Sequence, residues 1–354
     1  MPGRDGGAPT AGNGAGRGGE LPEATAGGGV AADPVAHGGE AGAVGIAGQP
    51  GADEIGGEEA AIRPTCNLYE GVTVAAGVGL GIATTWYRSG ITLYSWDSGT
   101  STFIGRFSDS LTPTAWNAWF CLEVVPQVAH VTAMNLPNGR PEIFVATREG
   151  QLFVRREFPQ TWGPWLPFSL PVADSFVEDI AAVGGAVPRL YVADRERVFV
   201  RSKIDDSPYS QYAPWRALPR NGAKVVAALL RENGSQQVIT VADSGTVELA
   251  TQLPNGSIFG DWQRLPALTE AIVDLVATET TGAQLTLQAL GASGTLWSLA
   301  GEKALDWAAV DVALLGVQVV AIAGRSQGGY NQLFGIDAAA VTYRFLAGQW
   351  LKTT

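Results

Sequence analysis

The groups in this sequence that can do chemistry are aromatic rings, guanidinium groups and carboxylates, with almost no imidazole. Trp recurs at 119, 165, 215, 262, 307 and 350, and three residues before four of these stands a second aromatic: Trp116, Trp162, Tyr212 and Phe259. Residues three apart in an extended strand point to opposite faces, so if the recurring Trp is packed, its partner should face away from the packed side. An exposed ring beside hydrogen-bonding groups suits a ligand with an apolar C–H face and a rim of hydroxyls. Arg148, Glu149 and Arg155 are the charged groups that would complete such a pocket, with Asp194, Arg195 and Arg201 one repeat further on. A planar guanidinium holds two vicinal hydroxyls at once, and a carboxylate accepts from the same pair.

Acid–base and metal chemistry find little material. His37 and His130 are the two histidines, so neither a histidine-based triad nor a His-rich metal site has its parts, and no cofactor is expected. The acid pairs Glu178/Asp179 and Asp205/Asp206 match the composition of a glycoside hydrolase pair, but read as solvated charges of inter-strand loops. Ala242–Gly245 is a fragment of an aspartate box and equally a common turn.

The Trp spacing itself, with intervals of 46, 50, 47, 45 and 43, is an internal repeat. Aligning on it brings three other segments into register. A short apolar run opens each unit, such as Val72–Ala75, Val131–Met134, Ile180–Val183 and Val225–Ala228. Paired alternating runs around a tight link follow, as in EIFVATREGQLFVRR and QVITVADSGTVELAT, with Gly90, Gly150, Gly245 and Gly294 available for positive φ. The Trp segment is the fourth. Four short strands per unit at this period predict an all-β fold, a six-bladed β-propeller of four-stranded antiparallel blades. The units run at about 70–126, 127–172, 173–220, 221–268, 269–314 and 315–354. The first has 29 residues from Gly90 to Trp119, against 15 from Gly150 to Trp165, which predicts a surface insertion around Asp97–Pro113. Its phase is open: blade one either holds all four of its own strands or borrows one from the C-terminus.

Residues 1–60 differ in kind, with 19 of the 46 glycines, no Phe, Tyr or Trp, and 9 acids against 2 arginines. Such a segment cannot build a core, and a disordered acidic Gly/Ala-rich tail over 1–62 is expected ahead of a propeller at 63–354. Of the net charge of −11, the tail carries −7. Neither part has the basic excess that nucleic acid requires. The uncharged stretches Gly71–Tyr87 and Thr280–Gly301 read as buried strands rather than membrane spans. No signal peptide is visible, which predicts a cytoplasmic protein or a non-classical route of export. Cys66, just before the first blade, and Cys121, in that blade's last strand, would form a disulfide that staples the blade, or remain as two thiols in a reducing compartment.

In the second unit, Asn138-Gly139-Arg140-Pro141-Glu142-Ile143-Phe144-Val145, Glu149-Gly150-Gln151-Leu152-Phe153 and Trp162-Gly163-Pro164-Trp165 stand in order. This unit resembles the repeat of the bacterial tectonin-like propeller lectins, the Photorhabdus-type fucose-binding family. The resemblance implies shallow sugar pockets between neighbouring blades, glycans of fucose or methylated type as partners, and no enzymatic activity. It also makes seven blades the alternative count, since members of that family often have seven. Phe153, Phe199, Glu248 and Tyr343 depart from the family's hairpin Trp, which Trp297 keeps. The recurring Trp reads as packing, and Trp116, Trp162, Tyr212 and Phe259 with Arg148, Glu149 and Arg155 as the sugar-binding candidates. The alternatives are a protein-interaction scaffold tethered or loaded through the tail, and a propeller glycosidase or lyase using Asp97 and Asp109 of the first-blade insertion.

Overall fold

The computed structural model describes residues 82–353, apart from 88–89, 98–100, 109, 111–114, 118–119, 126, 159–160, 174, 206, 208–210, 254–258, 281, 311–316, 328–329, 339–340 and 347–348. The tail at 1–62, Cys66, the Val72–Ala75 run, Asp109, Trp119 and Asp206 lie outside the described residues. Cys121 is disulfide-bonded.

The described chain is a succession of short strands with no helix. Blade one holds β1 (Ile82–Tyr87), β2 (Gly90–Asp97), β3 (Thr102–Ser108) and β4 (Phe120–Val124). Blade two holds β5 (Val128–Asn135), β6 (Pro141–Thr147), β7 (Leu152–Arg156) and β8 (Leu166–Phe168). Blade three holds β9 (Val177–Val183), β10 (Arg189–Asp194), β11 (Arg197–Ser202) and β12 (Arg216–Asn221). Blade four holds β13 (Val225–Leu230), β14 (Gln236–Val241), β15 (Val247–Thr251) and β16 (Gln263–Arg264). Blade five holds β17 (Ile272–Thr280), β18 (Gln284–Gly291), β19 (Leu296–Ala300) and β20 (Ala308–Ala309). Blade six holds β21 (Val319–Gln327), β22 (Tyr330–Asp337), β23 (Thr342–Leu346) and β24 (Gln349–Lys352).

In every sheet the strands pair in chain order, all antiparallel. The first strand of each blade packs against the first strands of its two neighbours, and β1 against β21, so six blades close the ring. Blade one is built from its own four strands and borrows none.

The first unit corrects the sequence expectation. The run ATTWYRSGITLYSW, aligned with the second and third strands of the other units, forms β1 and β2, and the expected insertion contains a full strand, Thr102–Ser108. Its alternation of Phe103, buried, with half-buried Thr102 and Ile104 is the ordinary pattern of a strand packed on one side. Gly90 therefore opens β2, whereas Gly150, Gly245 and Gly294 hold positive φ in tight turns. The β10–β11 turn has Glu196 instead, and the Asp194 carboxylate closes it by accepting from the backbone N–H groups of Glu196 and Arg197.

Burial explains why the second strands read as continuous apolar runs. β6, β10 and β14 are buried at every position, because both sheet faces meet a neighbouring blade. The core is accordingly divided: six apolar clusters among the described residues each span one blade boundary, as Tyr94, Phe103, Ile143 and Val145 do between blades one and two. The outermost strands β16 and β20 are two exposed residues each, which limits the open edge that blades four and five offer to another chain.

Candidate functional site: the inter-blade notches

Among the described residues, the recurring indoles Trp165, Trp215 and Trp307 sit where the outer strand of one blade meets the blade before it. Trp165 donates Nε1–H to the Leu122 carbonyl of blade one at 2.9 Å, Trp215 to the Ser169 carbonyl of blade two at 2.8 Å, and Trp307 to the Pro266 carbonyl of blade four at 2.8 Å. One hydrogen bond thus ties each of blades two, three and five to the blade before it. Trp262 takes the same place in blade four, but its buried Nε1–H has no partner among the described residues. Trp350 is buried with an unpartnered Nε1–H as well, enclosed by Gly335 and Phe345 of its own blade.

A second repeated element is an arginine on the third strand, at a position defined by the carbonyl of the following residue. Phe107, Arg156 and Ser202 each accept from a backbone N–H in the Trp segment, of Asn117, Gly163 and Ala213. Arg106, Arg155 and Arg201 precede them, and each guanidinium lies over an aromatic ring. Arg106 stacks 4.9 Å from Trp116, Arg155 5.7 Å from Trp165, and Arg201 5.6 Å from Trp215 and 5.0 Å from Phe168. Each also reaches the preceding blade in the ring. Arg106 donates to the Thr353 carbonyl at 2.7 Å, Arg155 to the Leu122 carbonyl and to Glu123 at 3.1 Å, and Arg201 to Ser169 Oγ at 2.6 Å. Burial pulls all three below the usual guanidinium range, Arg106 to about 10, with the Glu123 charge opposing the shift at Arg155. They remain cations at neutral pH.

In blade four the equivalent residue is Ala250, since Gly260 donates to Thr251 just after it. The charges return from the other sides of the notch: Arg220 on β12 pairs with Glu248 on β15 at 2.5 Å, across the boundary of blades three and four. With Arg197, Pro219 and Trp262 they line a groove of about 700 Å³. Blades one and two pair Arg155 of the later blade with Glu123 of the earlier one; blades three and four reverse the order. Both notches hold an indole, a guanidinium and a carboxylate.

The sequence candidates fall into three groups. Arg155 is in a notch, while Arg148 and Glu149 are exposed at the tip of the β6–β7 turn. Trp116, Trp162, Tyr212 and Phe259 do not face away from the packed side. Trp116 packs edge-on against Phe334 of blade six, Trp162 against Tyr94 of blade one, Tyr212 against Phe144 of blade two and Phe259 against Tyr191 of blade three. Strand alternation does not apply, because Trp162, Tyr212 and Phe259 sit in isolated bridges before the outer strand begins. Tyr212 and Phe259 are buried there, and the Tyr212 hydroxyl donates to Glu142. Arg106, Arg220 and Trp262 were not among the candidates. Arg106 was hidden by reading its strand as a loop, and a pairing of Arg220 with Glu248 has no signal along the chain.

The acid pair Glu178/Asp179 lies in β9, not in a loop. Glu178 is held by Arg195 at 2.7 Å. A bulge at the start of the first strands of blades two, three and five aims His130, Asp179 and Asp274 toward the next blade. Asp179 accepts from Val226 N–H and Asp274 from Ile322 N–H, both at 2.8 Å, so these carboxylates satisfy inner-edge backbone donors. His130 Nδ1 lies 3.1 Å from Asp179 Oδ1. Burial acts to lower the His130 pKa, but the Asp179 hydrogen bond and charge outweigh it and hold it above the usual value. Burial, with the Asp179 charge, pushes Asp274 up to about 7. No metal-holding group of three or more His, Cys, Asp or Glu side chains occurs among the described residues.

No family model matches the chain, and no curated protein matches it in sequence. Among solved structures it is similar to a triple arginine-to-alanine variant of AofleA from Arthrobotrys oligospora, at 10% identity over 79% of this chain and 86% of that one, with a TM-score of 0.57. It is also similar to a variant of Aleuria aurantia lectin in complex with Fucα1-6GlcNAc, at 11% identity over 80% and 97% of the two chains and a TM-score of 0.56. SapL1 lectin in complex with α-methyl fucoside aligns at 12% identity over 79% and 96%, with a TM-score of 0.52. At these identities the likeness is one of fold, a six-bladed β-propeller with four antiparallel strands per blade.

Proposed function

We propose that the protein binds carbohydrate without catalysis, through the notches between blades, with the notch of blades three and four as the principal site. The observation that carries this is the Trp262 indole. Its equivalents in three blades give their N–H to a neighbouring carbonyl, whereas its own is buried and unpartnered beside the Arg220–Glu248 pair. A sugar hydroxyl or ring oxygen supplies the missing acceptor, and the guanidinium and carboxylate supply donors and acceptors to its neighbours. Arg155 with Glu123 and Trp165 forms a second notch of the same composition. The tectonin-like resemblance and the fucosides in the similar lectin structures make fucose-type and methylated sugars the first ligands to try. Repetition around the ring adds avidity for a glycan-coated surface.

The test is a glycan array and fucose-agarose retention of the full chain, repeated with Trp262→Phe and Arg220→Met. Retention by the parent protein that either variant weakens at least tenfold supports the reading. Absence of retention on every glycan, or equal retention by both variants, overturns it. The uneven composition of the notches favours one second reading, a protein-docking rim, because a multivalent lectin gains from equivalent sites.

A further inference from the structure

The first strands enclose an axial channel of about 300 Å³, remote in construction from the notches. Strand registers place Thr84, Ala133, Ala182, Ala228, Ala277 and Gly324 at the same position in the six blades, a ring of small side chains. On one side of this ring the channel carries His130, Asp179 and Asp274, all engaged as described. On the other it carries Arg325, which directly follows Gly324, four residues or roughly 13 Å along β21 from the level of Asp274.

Two polar side chains at this second end have no partner among the described residues. Thr84 is 6% exposed, with its Oγ1 buried and unbonded. Arg325 has no ion pair; burial pulls it down to about 10, and the titratable group acting on it is Tyr94 rather than any carboxylate. It is still a cation at neutral pH. Arg325 is half-buried, and a guanidinium partly withdrawn from water without a counter-charge favours a negative companion. β1 and β21 are ring neighbours, so the hydroxyl and the guanidinium line adjacent walls of one cavity.

We infer that the Arg325 end of the axial channel is a binding site for a small oxyanion, a carboxylate or a phosphate, held by the Arg325 guanidinium and the Thr84 hydroxyl. The surrounding Ala and Gly side chains leave room for the anion and offer no competing acceptor. The site stands apart from the sugar notches.

The test is thermal melting and titration calorimetry of the full chain with inorganic phosphate and, separately, acetate, at ionic strength held constant with chloride. Expected is a saturable rise in Tm with one of the two in the parent protein and in Trp262→Phe, and an affinity at least tenfold weaker in Arg325→Met and in Thr84→Val. Response to phosphate alone assigns a phosphate site, and response to acetate a carboxylate site. Without added anion, Arg325→Met should melt higher than the parent, because it loses an uncompensated charge. A rise of equal size in parent and Arg325→Met is general salting and overturns the proposal. So does the absence of any rise, or an Arg325→Met protein that melts lower under every condition, which would make the arginine a structural cation.

Discussion

Glu142 of blade two and Lys203 of blade three form an ion pair of 2.6 Å in which both side chains are wholly enclosed. Arg156 lies 2.9 Å from the same carboxylate, and the Tyr212 hydroxyl donates to its other oxygen. Each carboxylate oxygen has a partner, which is the condition under which a buried charge is tolerated. Removing one partner breaks it. Lys203→Met should destabilise the protein by about 3 kcal/mol, the lower end of the range for orphaning a buried ion, since Arg156 still neutralises Glu142. Urea unfolding measures this. In a double-mutant cycle with Glu142→Gln, a coupling near zero would disprove the pairing.

The indoles predict a contrast between equivalent positions. Trp165→Phe loses a hydrogen bond to Leu122, about 1 kcal/mol in addition to the change in ring size. Trp262→Phe has no bond to lose, so its stability should change by less, while its effect on glycan retention should be greater. Chemical denaturation of the two variants in parallel decides it. An equal loss of stability would mean that the Trp262 N–H is satisfied in solution.

Arg155 serves blade cohesion and, in the proposed reading, the ligand. Arg155→Met removes charge-assisted bonds to Leu122 and Glu123 and should lower stability by about 1–2 kcal/mol. Arg148→Met, at an exposed turn, should be neutral within about 0.5 kcal/mol. If the two behave alike in urea, the boundary of blades one and two is not held as described.

The contribution of Asp274 and His130 to stability should fall as pH rises. Asp274, pushed up to about 7 from 3.8, holds its proton more tightly folded than unfolded. Its favourable contribution is complete below pH 3.8 and disappears between there and about 7. His130, raised above 6.5, contributes below that value and loses its contribution as pH climbs through the raised one. Asp274→Asn should flatten the lower part of this slope, at an absolute loss of about 1 kcal/mol because an amide offers one oxygen where the carboxylate accepts from the backbone N–H groups of Leu275 and Ile322. Urea midpoints from pH 4 to 8 test this. An unchanged slope in the variant would remove Asp274 as its source.

Much of the architecture is written along the chain, because a propeller repeats one local sheet. Indoles about 46 residues apart, a Gly with positive φ in three hairpin turns, and apolar second strands all follow from short-range spacing and burial. Where spacing lost the repeat, in the strand Thr102–Ser108, the reading lost Arg106 with it. The notches are another matter. Glu123 meets Arg155 and Arg220 meets Glu248 across separate sheets, and which pole comes from which blade is decided only when the blades pack. The same packing turned Tyr212 and Phe259 inward against strand alternation, because in an isolated bridge the pull of a neighbouring apolar face outweighs the period of two. Local periodicity determined that six sheets form; the contact between sheets determined which side chains are left without a partner, and on these groups the proposed binding rests.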